Sequence, residues 1–493
     1  MNSQLEFLLS QAIQYIHSNN YQSAILLLRQ ILRVKPRHGQ VLRMMAVAYA
    51  QQNLNAEALE FINEAIDLDS RNGIAYSNKG NILHNLGRNL EAVDAYHRAI
   101  QLAPDYAEAY GNLGNVQQSL NDFKGALKSY QIAIAKDPLN PDFFCNLGNC
   151  FSAIDRDNES HHAYIKAIEL QPNHADAHYF LGQLKLRNMD FSGGWVGNEW
   201  RWRSRGFNSL VLKTSKNTWH GKNLSGPLYI WAEQGIGDQV LYASMLNEVC
   251  SLAPSLTVSL DAKLIPVFQR SFPQCNFIDK MQLQAEERYE SQIPIGSIGQ
   301  FFRRNIEDFK RSPQKYLLAN DCLVRKLKQS SLFSQKITCG ISWQSNNPTV
   351  GSKKSLSLHG LSSLLGLNEV NFINLQYGDT QVEVRAAKDA LDVHLENVPE
   401  IDLFDDIEGL LAVMEACDIV VTTSNSTAHF SGAIGKETLL LLPYSAGKFW
   451  YWHDLDGKSL WYPSIKVFRQ KEQGDWTQPI IEAKEYLEKR FAI

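Results

Sequence analysis

The sequence predicts an α-solenoid followed by two α/β halves, and three observations carry that reading. Small residues and prolines recur at a 34-residue step through the first 190 positions. From Pro227 onward short apolar runs alternate with amphipathic segments instead. The chain has 493 residues, too many for one hydrophobic core.

The repeat is legible column by column. Prolines stand at Pro36, Pro104, Pro138 and Pro172, with Ser70 at the missing beat. Gly80, Gly114, Gly148 and Gly182 keep the same step, and Ala46 precedes them. Ala24, Ala58, Ala92 and Ala126 form another column, as do Ala65, Ala99, Ala133 and Ala167. Tyr96, Tyr130 and Tyr164 add an aromatic one. Period and residue types are those of the tetratricopeptide repeat, a helix-turn-helix unit. Small residues let paired helices approach, the aromatic is expected to fill the gap between units, and proline ends the second helix. One unit cannot bury its apolar face, so neighbours stack into a superhelix with a concave groove. That groove is either a plain scaffold or a seat for a protein or peptide.

The array, residues 1–190, breaks after Met189 into FSGGWVGNEWRWRSR, where Trp195, Glu199 and Trp202 fall at i, i+4 and i+7. This spacing puts them along one helical face, as buried aromatics joining one domain to the next or as a substrate-binding patch. KNTWHGKNLSG, Lys216 to Gly226, reads as a polar linker, so residues 191–226 form a connector.

In the first α/β half, residues 227–330, PLYIWA, LTVSL and CNFID read as strands. In the second, residues 331–493, the strands are KITCGISW, NFINLQY, DIVVTTS and TLLLLPY. FDDIEGLLAVMEAC has helical period, its acids Asp405, Asp406 and Glu408 suit a first turn, and WTQPIIEAKEYLEKRF makes a closing helix. Strands alternating with helices imply doubly wound parallel sheets with sites at the strand C-terminal ends.

Two such ends are rich in chemistry. WAEQGIGDQVLY carries Gln234, Gly235 and Gly237 between an apolar run and a helix. A dinucleotide fingerprint needs a third glycine or alanine where Val240 stands, so this turn is no such loop. Its glycines are expected to let the backbone turn tightly. Asp238 either caps the helix or is aimed into a cleft. After DIVVTT, the loop Ser424, Asn425, Ser426 and Thr427 opens a helix with His429 one turn in, and a helix N-terminus with free N–H groups suits a phosphate. His429 is a ligand contact or a core residue. The loop QSNNPTVGSKKS offers Lys353 and Lys354 to a diphosphate, unless they are a solvated charge pair. Trp343, Trp450 and Trp452 are candidate stacking surfaces for base or sugar.

GGWVGNEWRWR, WAEQGIGDQVLYASML, ISWQSNNPTVGSKKSLSL, CDIVVTTSNSTAHFSGAIGK and the tail FWYWHDLDGKSLWYPSIKVFRQKEQGDW, in that order after the repeats, resemble the repeat-fused bacterial relatives of the heptosyltransferases, glycosyltransferase family 9. The resemblance implies a GT-B pair of Rossmann-like domains facing across a cleft. It also implies metal-independent, inverting transfer from a nucleotide-sugar, with no cofactor. Asp238 would inherit the general-base role of the matching aspartate. Ser424 stands where the family often has aspartate, and Lys353 and Lys354 where arginine is usual, so a decayed adaptor that only binds proteins stays open. So does an enzyme like the O-linked N-acetylglucosamine transferases.

A net charge of −4 gives no footprint for nucleic acid. No apolar run is long enough for a membrane span, the N-terminus MNSQLEFLLSQAIQY shows no signal peptide, and seven scattered cysteines without a CxxC pair suit a reducing compartment. A cytoplasmic protein without a metal site is the expectation.

Overall fold

The computed structural model describes residues 2–493 apart from 283, 348, 349, 392 and 446, and only the backbone of residues 2 and 3. Residues 348 and 349 of the expected lysine loop therefore lie outside the described residues. The chain forms two compact units, Met1–Ala177 and His178–Ile493.

The first unit is built of antiparallel helix pairs. Helices begin at Tyr21, Asn55, Asn89, Phe123 and Asp157, 34 residues apart, and their partners at Gly39, Gly73, Ala107 and Pro141 keep the same step. Pro36, Pro104, Pro138 and Pro172 each follow a helix end by two residues, where a missing N–H and a fixed φ stop the helix from continuing.

The glycine and tyrosine columns turn out to be one device. A Cβ on Gly80 would lie 2.7 Å from the Tyr96 ring, on Gly114 2.7 Å from Tyr130, and on Gly148 2.6 Å from Tyr164. Each phenol then donates to an asparagine on the glycine's own helix, Asn81, Asn115 or Asn149, at 2.5, 2.8 and 2.6 Å. The aromatic thus fills the gap inside a helical hairpin, which corrects the expected place between units. A bare backbone is what lets a ring lie flat on the facing helix.

The second unit holds two all-parallel sheets. Strands β1 (Asn217–Thr218), β2 (Leu228–Trp231), β3 (Leu256–Leu260), β4 (Asn276–Asp279) and β5 (Ser291–Pro294) lie in the order β1-β5-β2-β3-β4. Strands β6 (Ile337–Ser342), β7 (Val370–Asn374), β8 (Leu395–Glu396), β9 (Ile419–Thr423), β10 (Thr438–Leu442) and β11 (Ile465–Arg469) lie in the order β11-β10-β9-β6-β7-β8. All seven expected runs are strands. Two-residue β1 lies in the segment expected as linker, and β5, β8 and β11 carry weaker patterns.

In each sheet the order reverses beside the first-used central strand. From β2 the chain winds to β3 and β4, then returns to β5 on the other side. From β6 it winds to β7 and β8, then returns to β9. Crevices open at such switch points, outside the strand C-termini.

One apolar cluster runs from Leu228 and Ile230 of the first sheet through Leu410 and Leu411 to Val420 and Leu440 of the second. A second cluster packs Ile480, Ala483 and Leu487 of the last helix, Thr477–Phe491, on the opposite face. The helix Phe191–Asn198 changes to 3-10 form at Glu199–Arg203, so Trp195, Glu199 and Trp202 do not share one continuous face. Trp195 is buried edge-on to Trp450 and donates to the Arg303 carbonyl at 2.7 Å, while Trp202 packs on Trp231.

Replacing Gly114 with alanine is expected to lower stability by about 1–3 kcal/mol, because the methyl group must displace a buried ring. Tyr130→Phe should cost only about 1 kcal/mol by losing one hydrogen bond. Urea denaturation of both variants checks the order.

Candidate functional site

The turn after β2 and the helix after β9 meet. A Cβ on Gly237 would lie 2.8 Å from His429 Cδ2, so glycine here is a requirement of close approach. Neither Gly235 nor Gly237 adopts positive φ; Gln234 does, at 61°. This corrects the expectation that the glycines make the turn. The strained residue is the glutamine, whose N–H is held by Ser209 Oγ at 3.2 Å.

Asp238 sits in the first turn of the helix Ile236–Ala243, and its Oδ2 accepts the Gly235 N–H at 3.3 Å. The helix-cap reading of this carboxylate is therefore real. The side chain remains partly accessible, yet desolvation pushes its pKa up to about 6, with the Glu233 charge adding to the rise. The Gly235 N–H and the Lys354 charge pull the other way. A carboxylate titrating near neutrality matches what a general base requires.

Lys354 comes from the switch point of the second sheet. Its helix Gly351–Lys354 follows β6, and its carbonyl accepts the Thr423 hydroxyl at the end of β9. The ammonium lies 4.5 Å from the Phe449 ring centroid, and the residue is 4 % exposed. Burial lowers its pKa to about 8, and Asp238 is the charge that opposes the fall. Lys353 is half-buried, with its Cβ beside Gly447, and does not join this group.

The helix Ser426–Ala433 supplies the third side. Asn425 caps it by accepting the Ala428 N–H, and its Nδ2 donates to Ser342 Oγ at 2.8 Å and the Gln344 carbonyl at 3.0 Å. Asn425 is thus structural, tying the ends of β6 and β9 together. Ser424 Oγ accepts from Trp452 Nε1 at 2.8 Å. Ser426 is the first helical residue. The Thr427 hydroxyl is fully buried and finds no hydrogen-bond partner among the described residues. His429 is 3 % exposed, is paired through Nδ1 with the Tyr462 hydroxyl at 2.9 Å, and is driven by burial down to about 3. It is neutral and packs against Gly237.

The three tryptophans do not offer stacking faces. Trp343 is wholly buried in the second sheet's core with its Nε1 on Glu383 at 3.0 Å. Trp450 and Trp452 lie in the shared core at 8 % and 1 % exposure. That expectation is corrected: ring burial on both faces leaves nothing for a ligand to cover. Asp405 and Asp406 precede the helix Ile407–Ala416, and Asp406 caps it through the Gly409 N–H.

Residues that sequence reasoning passed over complete the site. Tyr242, Tyr451 and Tyr462 are buried phenols whose pKa rises with burial, and the Asp238 charge pushes each further. Glu233 and Arg201 form a buried ion pair at 2.7 Å beside the turn. The signal was present: Arg201 set between two tryptophans in EWRWR, and one acid directly after an apolar strand in WAE.

Two cavities open at the strand ends. One of about 250 Å³ lies at the first sheet, lined by Trp231, Gln234, Ser259 and Lys280. The other, about 870 Å³ and polar, lies at the second, lined by Asn374, Gln376, Arg385 and Asn397. Asp238 lines neither. No helix among the described residues is long and apolar enough to cross a membrane.

Asp238→Asn should raise stability at pH 7.5 by about 1–3 kcal/mol. The folded-state pKa lies above the unfolded value, so the wild-type carboxyl favours folding at low pH. That contribution is lost as pH rises from about 4 to about 6. Thermal denaturation of both proteins across pH 4–8 should show curves that converge at the acid end.

The family models that match this chain fall on the repeats. The family described as TPR repeat matches residues 80–121, and tetratricopeptide repeat families match residues 9–73 and 109–142. Protein FlbA of Caulobacter vibrioides is 28% identical over 278 residues, covering 52% of this chain and 46% of its own. The chain thus spans about half the length of the curated relative it matches. Among solved structures, TTC0263, a thermophilic TPR protein of Thermus thermophilus, is 21% identical, covering 37% of this chain and 99% of its own with TM-score 0.35. PilF of Pseudomonas aeruginosa is 18% identical, covering 41% and 90% with TM-score 0.36. Residues 9–142 of this chain carry tetratricopeptide repeats, and the second unit is built on parallel α/β structure.

Proposed function

We propose that the second unit is a GT-B-type glycosyltransferase that moves a sugar from a nucleotide-diphosphate donor to an acceptor hydroxyl, with inversion. One observation carries the reading: the turn after β2 that holds Asp238 meets the Ser426–Ala433 helix at Gly237 and His429, with Lys354 in electrostatic reach of Asp238. In the reaction the acceptor O–H gives its proton to Asp238. The freed oxygen attacks the anomeric carbon, and the bond from that carbon to the diphosphate breaks. The departing oxygen keeps the electron pair. Lys354, the unpartnered Thr427 hydroxyl and the helix N–H groups stabilise the charge that develops there. The cavity of about 870 Å³ at the second sheet's edge has room for the nucleoside. The tetratricopeptide repeats recruit a protein that is either the acceptor or a partner.

Asp238→Asn is expected to fold and to lose about 10²–10⁴ in turnover. Wild-type turnover should follow a bell between about pH 6, where Asp238 ionises, and about pH 8, where Lys354 loses its proton. Transfer assays with a panel of nucleotide sugars check both, and normal turnover by a folded Asp238→Asn protein would exclude the base assignment. Lys354→Met should weaken nucleoside-diphosphate binding about tenfold in calorimetry, as expected for loss of a charge-assisted contact.

A further inference from the structure

We propose that the buried Arg201–Glu233 pair is a positioning device for Asp238, locking the turn that carries it and screening it from a second carboxylate. The inference rests on the reading of Asp238 as the base, and its own support is geometric.

Arg201 is fully buried, and all five of its N–H donors are spent. Nε reaches Glu233 Oε2 at 2.8 Å, and Nη2 reaches Glu233 Oε1 and Ser297 Oγ, both at 2.7 Å. Nη1 reaches Glu199 Oε1 at 2.9 Å and the Asn198 carbonyl at 3.1 Å. Glu233 Oε1 also accepts the Gly296 N–H at 2.8 Å, and any side chain at Gly296 would run into that same oxygen. The fork is therefore held from three segments: the 3-10 turn Glu199–Arg203, the end of β2, and the 3-10 turn Ile295–Ser297 after β5. No hydrogen-bonding capacity of Arg201 remains for a ligand.

Glu233 stands one residue before Gln234, whose positive φ sets the turn that ends at Asp238. Burying an ion pair rarely repays its desolvation against an apolar substitute, so its presence at this turn calls for another use. Two acids five residues apart on one tight turn repel, and the guanidinium neutralises the one nearer the sheet. The groups in electrostatic reach of Asp238 are Glu233 and the Gly235 N–H on its own turn, Lys354, and Tyr179, Tyr242, Tyr451 and Tyr462. His429, against Gly237, is neutral.

The two members of the pair should act on Asp238 with opposite sign. Glu233→Gln removes a negative neighbour and lowers the pH at which Asp238 ionises. Arg201→Met exposes Asp238 to an uncompensated carboxylate and raises it. Each shift should be roughly one pH unit. The midpoint is read from the pH dependence of melting temperature of each variant against the same variant carrying Asp238→Asn, in the full chain and without any sugar donor. Opposite shifts establish the role. Shifts of the same sign, or none, overturn it, since a merely structural pair would destabilise both variants without moving this titration. Should Arg201→Met fail to fold, Glu233→Gln decides alone by its fall or its lack of one. An inactive protein with opposite shifts would remove the transferase reading and leave this coupling intact.

Discussion

The contact between Gly237 and His429 is the constraint on which the second unit depends. It brings the first helix after β2 against the first helix after β9, so the switch points of two separately wound sheets become one locality. The charge of Lys354 and the phenols of Tyr451 and Tyr462, which interact with the Asp238 charge, come from the half of the unit built on the other sheet. A side chain of any size at position 237 pushes the two helices apart.

The same use of small residues runs through the repeats. Gly80, Gly114 and Gly148 each receive a tyrosine ring, as Gly237 receives an imidazole. In both units aromatic mass is placed against bare backbone, and the polar end of the ring is then satisfied nearby. Tyr130 finds Asn115, and His429 finds Tyr462. This is how buried polar rings are kept without the cost of an unpaired donor.

The repeat array and the strands could be read before any coordinates because both rest on local periodicity. LTVSL coincides with β3, and the 34-residue columns with the helix pairs. The site was legible where a residue type marks a strand end, as for Asp238, Lys354 and Thr427. It was not legible where an assignment depends on what lies opposite. Nothing in the sequence says that Gly237 faces His429, or that Trp343 and Trp452 are enclosed on both sides. Gln234 misled because its left-handed backbone is adopted beside glycines that looked better suited to it. Arg201 and Glu233 were missed because 32 positions separate them and neither belongs to a motif with a mechanism attached.

The wedge between Gly237 and His429 also has a kinetic meaning. With no room for another atom there, the two helix ends must separate before anything can pass between them. Such parting must strain the apolar cluster that both sheets share, so its rate is tied to the compliance of that core. Core-softening substitutions would then speed that opening even where they touch neither residue.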